Sequence, residues 1–214
     1  YAIVRNKTDG SETRYETEPL TNYNIIVLDQ ALKGRSYLTL TNTNVLRNGE
    51  SSDANVSALD FSFFDKNNTY NLKGTGRYSK IFSQNPYDGF NTQLAFGKVS
   101  GKIQYNMQAL VKSDQYDPND LGFLLTPNEI IYNAEASYNQ FTPTKNFLNY
   151  SYTINTTYRR LYKPNVFNDF TIEGSAFWIF KNFWDVNLSV GYLPDQHDYF
   201  VLGAPFDHYA RRPA

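Results

Sequence analysis

Apolar and polar side chains alternate with a period of two residues along much of this chain. The segment 101–112 shows the pattern most clearly. One parity there reads Ile103, Tyr105, Met107, Ala109 and Val111, and the other reads Lys102, Gln104, Asn106 and Gln108. Successive side chains of a β-strand point to opposite faces, so this alternation predicts a strand with one apolar face and one polar face. Segments 130–139, 149–159 and 184–192 repeat the pattern.

Turn-forming residues divide the chain into eleven predicted strands and the start of another, which predicts an all-β fold. The predicted strands span residues 1–7, 22–30, 35–46, 54–64, 69–80, 91–97, 101–112, 128–140, 147–160, 167–180 and 183–193. Many of them have roughly 10 to 14 residues, whereas strands in soluble sheets commonly have about 5 or 6. Helical spacing of apolar residues is nearly absent from the chain.

The predicted connections alternate in length. Every second one is short: residues 31–34, 65–68, 98–100, 143–146 and 181–182. The intervening connections are residues 8–21, 47–53, 82–90, 113–127, 161–166 and the segment from residue 194 onward, and only 161–166 among them is short. Short turns at one end and long loops at the other are typical of an up-and-down antiparallel barrel that spans a membrane.

The hairpin at residues 181–183 tests how the faces of neighbouring strands match. A two-residue turn would pair Phe180 with Phe183 and would set the apolar parity of one strand beside the polar parity of the next. A three-residue loop, with Asn182 in the left-handed region, instead pairs Phe180 with Trp184 and gives a continuous apolar face. We therefore predict the three-residue loop.

A half-polar meander of long strands fits two architectures. In a soluble β-sandwich the apolar parity packs against a second sheet, whereas in a membrane barrel it faces lipid and the polar parity lines a wet interior. The predicted strand lengths match the ~9 to 11 residues that a tilted strand needs to cross a bilayer. Aromatic side chains also crowd the strand ends, as expected at membrane interfaces. We favour an antiparallel up-and-down transmembrane β-barrel and keep the sandwich as the alternative.

The barrel interpretation gives individual side chains a membrane role. The predicted interface aromatics are Trp178, Phe180, Phe183, Trp184 and Tyr192. The predicted lipid-facing side chains are Ile103, Tyr105, Met107, Val111, Tyr152, Ile154, Val186, Leu188 and Val190. Eleven strands and the start of another, with free ends, do not close a bacterial barrel, which normally has an even strand number. We expect residues 1–214 to be an interior part of one larger barrel domain.

Composition narrows the functional classes. The chain has 214 residues, no cysteine, and 20 basic against 21 acidic residues. The lack of cysteine excludes disulfide scaffolds, zinc fingers and thiol catalysis. An even charge balance without basic runs gives no electrostatic footprint for nucleic acid. The mean hydropathy is −0.56, and no apolar run approaches the ~18 residues of a transmembrane helix.

Candidate chemistry is sparse. The candidate metal ligands are Asp114, Asp117, Asn119 and Asp120, whose oxygens suit calcium. They lack the regular ligand positions and terminal glutamate of an EF-hand, and Asx turns that begin and end a long loop explain them more simply. His197 and His208 each lie beside carboxylates but have no third ligand at a metal-site spacing. No nucleophile triad, phosphate loop or HExxH motif appears, so we predict no enzymatic activity and no cofactor.

Three segments resemble a known protein family. They read RYETEPLTNYNIIVLDQ at 14–30, SYLTLTNTNV at 36–45 and YDPNDLGFL at 116–124. They resemble a family of large Bacteroidetes outer-membrane proteins of unknown function, whose barrel follows a periplasmic domain similar to carbohydrate-binding module family 9. The resemblance implies that this upstream domain and the remaining strands lie outside the chain. The family has no established activity, so no residue role is carried over from it.

These observations together predict a non-enzymatic outer-membrane protein that acts as a transport, surface-binding or complex-scaffold subunit. The expected partners are outer-membrane lipid or lipopolysaccharide, other envelope proteins in a complex, and a glycan ligand. We expect the long loops to be extracellular and the short turns periplasmic. The alternative is a soluble secreted β-sandwich that binds or processes polysaccharide.

Overall fold

A computed structural model describes residues 2–15, 17–49, 51–120, 122, 124, 126–198 and 210–211. These residues form antiparallel β-strands joined by turns and loops, and they include no α-helix. No helix among them is long and apolar enough to cross a membrane.

The strands form one large up-and-down sheet and one small hairpin. Their bounds are β1 Ala2–Arg5, β2 Glu12–Tyr15, β3 Thr21–Ala31, β4 Tyr37–Arg47, β5 Asp53–Phe64, β6 Tyr70–Phe82, β7 Tyr87–Lys98, β8 Ile103–Lys112, β9 Glu129–Gln140, β10 Phe147–Leu161, β11 Phe167–Phe180, β12 Asp185–Asp198 and β13 Ala210–Arg211. β1 pairs with β2, while β3 to β12 pair in chain order and β13 adds two residues beside β12. Among the described residues, the large sheet has free edges at β3 and at its opposite end.

The structure confirms the all-β, up-and-down antiparallel prediction. Each of the eleven predicted strands is present, with bounds that differ by a few residues. The strand β2 lies in the segment 8–21, which the sequence predicts as a loop. Its residues Glu12–Tyr15 carry no apolar alternation, so only their pairing with β1 makes them a strand.

The predicted contrast between short turns and long loops is only partly right. At the expected loop end, the described connections are residues 48–52, 83–86, 113–128 and 162–166, and only 113–128 is long. Asp88 and Gly89 favour a turn, but both pair with β6, and the ladder between β6 and β7 continues as far as the pair Ile81–Tyr87. Ladder hydrogen bonds therefore override local turn preference and shorten the predicted loop 82–90 to four residues.

The strand β12 is also longer than predicted, because it continues through Pro194 to Asp198. Proline cannot donate a ladder hydrogen bond and is usually confined to bulges or sheet edges. The register between β11 and β12 shifts between Phe170 and Ile172, close to where Pro194 lies. This irregularity lets the strand continue where the sequence predicts a loop.

The three-residue loop at 181–183 is confirmed. The backbone N–H of Phe180 donates to the Trp184 carbonyl at 2.8 Å, and the ladder continues from there in the predicted register. The left-handed residue is Phe183, with φ 66°, so the prediction for Asn182 is wrong. In such hairpins a type I turn comes first and the residue after it takes the positive φ. Phenylalanine at that position carries steric strain between its Cβ and the backbone.

The register divides the side chains of the large sheet between two faces. The apolar face carries Met107 and its register partners, and the polar face carries Gln108 and its partners. Many side chains of the apolar face are exposed, above all along β12, whereas those of β11 are half-buried between neighbouring strands. Folding of the described residues therefore leaves most of this apolar surface uncovered.

A small buried cluster lies on the polar face instead. Val45, Ala54 and Ile81 are buried there, with Tyr87 packed against them. These four side chains form one row across β4, β5, β6 and β7. The row lies at the sheet end where residues 113–128 connect β8 to β9.

One carboxylate organises the turn between β5 and β6. Asp65 Oδ1 accepts the backbone N–H groups of Thr69 at 2.6 Å and Tyr70 at 2.7 Å, and Oδ2 accepts that of Asn67 at 3.3 Å. The hydrogen bond from Tyr70, supported by those from Thr69 and Asn67 against the effect of desolvation, holds the pKa of Asp65 below its ordinary value. The ionised side chain therefore stabilises this turn.

We expect Phe183→Gly to be more stable than Phe183→Leu by about 1 kcal/mol, because glycine removes the left-handed strain and leucine keeps the Cβ. The leucine variant controls for loss of the ring, which is 82% exposed. Denaturant unfolding followed by tryptophan fluorescence measures the difference. Equal stabilities would contradict a strained Phe183.

We expect Asp65→Asn to flatten the acid dependence of stability. Because the folded pKa is lowered, the contribution of the carboxylate is complete above the ordinary value of 3.8 and is lost as the pH falls through the folded pKa. An amide oxygen can still accept hydrogen bonds but does not titrate in this range. Unfolding midpoints measured at neutral pH and through the acid range test this, and parallel profiles for both proteins would refute it.

Candidate functional site

The register places all nine predicted lipid-facing side chains on the apolar face. In β8 they occupy alternate positions on one face. The register pairs through β9 and β11 place the predicted residues of β10 and β12 on that same face. Ile103 is 59% exposed, Met107 60% and Val190 64%, whereas Tyr105 and Val111 are half-buried. The prediction of a shared apolar face is therefore met, while contact with lipid stays a prediction.

Five neighbouring strands carry apolar stretches of equal length on this face, which we call the apolar belt. The stretches cover residues 103–111 on β8, 130–138 on β9, 150–158 on β10, 170–178 on β11 and 184–192 at β12. Every apolar-face position in them is aliphatic or aromatic except Thr156 and Gly174. Each stretch spans nine residues, counted inclusively as in 103 to 111.

The apolar belt crosses the sheet obliquely. The midpoints of its five stretches are Met107, Ala134, Ile154, Gly174 and Leu188. Met107 pairs with Ala134, and Ile154 pairs with Gly174, so these midpoints are level. Ala134, however, pairs with Thr156, and Gly174 pairs with Val190. The belt therefore shifts by two residues along the strand, in the same direction each time, between β9 and β10 and again between β11 and β12.

Aromatic side chains lie at both ends of the belt on β10, β11 and β12. They are Tyr150, Trp178 and Trp184 at one end, and Tyr158, Phe170 and Tyr192 at the other. Trp178 Nε1 donates to the Tyr152 hydroxyl at 3.1 Å, and the ring centroids of Tyr158 and Phe170 lie 6.4 Å apart. Sequence reasoning missed Tyr150, Tyr158 and Phe170 as end residues, because only the register shows which level each side chain reaches.

The remaining predicted interface aromatics lie around the 181–183 loop. The Phe180 ring centroid is 4.9 Å from that of Phe147, and this contact joins the end of β11 to the start of β10. Phe183 and Trp184 are 82% and 73% exposed. These rings lie beyond the belt and at its edge, where an interface aromatic would be placed.

The polar face carries a chain of hydrogen bonds across β9, β10 and β11. Asn133 Nδ2 donates to Asn155 Oδ1 at 2.7 Å and to Thr157 Oγ1 at 3.0 Å. Asn155 Nδ2 in turn donates to Glu173 Oε2 at 3.3 Å. Amide, hydroxyl and carboxylate groups here partner one another in rows, which suits a surface in contact with water.

The segment 113–128 is called the long loop, and its described residues, 113–120, 122, 124 and 126–128, include several that contact the polar face. Tyr116 is only 4% exposed. The backbone N–H of Asp117 donates to Ser79 Oγ at 3.0 Å, and the Tyr87 hydroxyl donates to Asp117 Oδ2 at 2.8 Å. Burial raises the pKa of Tyr116, against the opposing effect of Arg77, so its hydroxyl stays protonated at neutral pH. The long loop is therefore held on β6 and β7.

The four candidate metal ligands have protein partners in the long loop and the sheet. Asp114 Oδ2 lies 3.3 Å from Lys163 Nζ, and Asp120 forms an ion pair with Arg47. Asp117 Oδ1 accepts the N–H of Asn119 at 3.0 Å, which is an Asx turn. In the part of the chain that the structure describes, no three His, Cys, Asp or Glu side chains are placed to hold a metal ion.

Of the two histidines, the described residues include His197. His197 stacks edge-on against Phe167, with ring centroids 5.6 Å apart, and its Nε2 lies 3.9 Å from Asp195 Oδ1. His208 lies outside the described residues.

Comparison with known proteins gives one result. The model of a protein family described as a domain of unknown function (DUF5916) matches residues 1–213. No curated protein and no solved structure matches the chain.

We expect Ser79→Ala to destabilise the protein by about 1 to 2 kcal/mol, because the Asp117 N–H then loses a buried acceptor. Ser79 is 1% exposed. Ser189→Ala is the matched control, since Ser189 is exposed on the polar face and its loss should change stability by under about 0.5 kcal/mol. Denaturant unfolding compares the two, and equal losses would mean that the long loop is not held at Ser79.

Proposed function

The chain belongs to the DUF5916 family, and we propose that it forms part of a transmembrane β-barrel in a bacterial outer membrane. Its proposed role is that of a non-enzymatic transport, surface-binding or complex-scaffold subunit. The family description names no activity, so the proposal depends on the geometry of the sheet. The resemblance of segments 14–30, 36–45 and 116–124 to outer-membrane proteins points to the same compartment.

The oblique apolar belt is the observation that carries this proposal. The belt shifts by two residues, about 6.8 Å along the strand, for every two strand spacings, about 9.6 Å across the sheet. The ratio of these lengths means that the strands tilt from the normal to the belt by roughly 35°. Strands of outer-membrane barrels tilt by about 35 to 45°. Nine residues at that tilt span about 25 Å, which is the height of the apolar band on such barrels.

The exposure of the belt favours the barrel over the soluble sandwich. A sandwich buries its apolar face against a second sheet about 10 Å away. The described residues provide no such second layer over β8 to β12, and Leu188 at the belt midpoint on β12 is 56% exposed. Lipid would cover the same surface without a second sheet, and the aromatic ends of the belt suit the two interfaces.

The proposal also sets the partners and the orientation. Outer-membrane lipid or lipopolysaccharide would contact the apolar belt, and the polar face would line a hydrated interior. Other envelope proteins, or a glycan, would bind at the exposed ends. The long loop would lie on the extracellular side and the short connections 65–69, 99–102 and 181–184 on the periplasmic side, since barrels place short turns there.

We expect Met107→Arg to impair membrane insertion and the adjacent Gln108→Arg to leave it nearly unchanged. Met107 is the belt midpoint on β8, and an arginine that faces lipid at the bilayer midplane costs about 2 to 4 kcal/mol in a barrel. Gln108 faces the polar side, where an arginine stays in water. Refolding of the full-length protein into lipid vesicles, read out by heat-modifiable electrophoretic migration, compares the two variants.

Two outcomes would contradict the barrel. One is a full-length protein that is soluble and monomeric without detergent, with no binding to vesicles. The other is equal insertion of both arginine variants, because lipid would then make no distinction between the two faces.

A further inference from the structure

We propose that the long loop is a fixed constriction of the barrel interior, which limits the size of the hydrophilic solutes that pass. This inference depends on the proposed barrel, because only a closed sheet gives the polar face an interior. The loop connects β8 to β9, yet it reaches back across the polar face as far as β4. A surface loop that stood away from the sheet would make none of these contacts.

Gly89 permits the closest approach between the long loop and the sheet. A Cβ atom at Gly89 would lie 2.3 Å from the backbone nitrogen of Tyr116 and 2.4 Å from the carbonyl carbon of Gln115. Real Cβ atoms do not approach backbone this closely, so any other residue would force the backbones apart. β7 is held in ladders on both sides by β6 and β8, which leaves the loop as the part that would move.

Contacts on three strands fix the position of the loop. Asp117 is bound by Ser79 of β6 and by Tyr87 of β7. Asp120 forms its ion pair with Arg47 at the end of β4. From β8 to β4 is four strand spacings, or about 19 Å, so the loop covers a broad part of the polar face. These contacts are side-chain and backbone bonds to buried or half-buried groups, which favours a fixed position over a mobile one.

The charges around the long loop are mostly paired, and the exception in the loop is Asp117, whose carboxylate accepts the Tyr87 hydroxyl. Basic side chains there each pair with a carboxylate: Arg47 with Asp120, Arg77 with Asp60, Lys112 with Glu129, and Lys163 with Asp114. A ring of one charge would select ions by sign, whereas paired charges leave little net field. We therefore expect the constriction to discriminate by size, and the solutes to be small, hydrophilic and uncharged.

The test compares Gly89→Ala with Gly191→Ala in the full-length protein reconstituted into liposomes. Gly191 lies on the same polar face in β12, and a Cβ there meets no atom within 4 Å. Liposome swelling in neutral saccharides of increasing length measures the size limit. Because the Cβ pushes the loop off the wall and further into the interior, we expect Gly89→Ala to slow the longest saccharides that the wild type admits several-fold, and Gly191→Ala to match the wild type.

If Gly89→Ala does not fold, a pair of introduced cysteines provides a second test of the loop position. The sequence has no cysteine, so Ser79→Cys with Asp117→Cys can be joined by oxidation or by a short thiol-reactive linker. We expect the joined and reduced forms to have the same size limit, because the loop already lies at Ser79. A lower saccharide size limit in the joined form would overturn the proposal, because it would mean that the loop of the reduced form moves away from Ser79.

The outcomes separate this inference from the proposed function. Full-length protein that inserts, with an unchanged size limit in a folded Gly89→Ala variant, refutes the constriction and leaves the barrel standing. Inserted protein that stays closed in both variants refutes a size limit set by the loop. Failure of all variants to insert refutes the barrel itself.

Discussion

The antiparallel hydrogen-bond ladder is the constraint on which the rest of this structure depends. Side chains alternate between faces, so a slip of one residue in any strand would move its apolar side chains to the polar face. The register from β8 to β12 holds every apolar stretch on one side over five strands. Because so few apolar side chains are buried within the sheet, backbone pairing rather than a large core must hold the strands together.

The turns at 65–69 and 181–183 fix that register in different ways. The 181–183 loop holds it with three residues and a left-handed Phe183, although phenylalanine is poorly suited to this conformation. The 65–69 turn uses the carboxylate of Asp65 to bind three backbone N–H groups. Both devices act at the same end of the sheet, so the strands begin in register there. The opposite end depends on longer-range contacts, above all those of the long loop.

The two faces have separate roles that follow from one ladder. The tilt implied by the apolar belt on one face is the tilt at which the polar face would enclose an interior. The long loop then lies on the polar face and draws on residues from β4, β6 and β7, including the close approach at Gly89. In the proposed barrel, a loop held in this way would link the lipid-facing side of the sheet to what the interior admits.

The alternation of side chains by itself determined eleven of the described strands and the shared apolar face, because a period of two is a local property of the chain. It also determined the length of the 181–183 loop, since only three residues keep the apolar parity continuous. The level of Tyr158 and Phe170, the strand β2 and the short 83–86 connection were decided only by the tertiary structure, because each depends on a partner distant in sequence. For the same reason, Asp114, Asp117, Asn119 and Asp120 suggest a metal site in sequence, but their partners are decided by the fold. Lys163 reaches Asp114 from the connection between β10 and β11, and Arg47 reaches Asp120 from the end of β4.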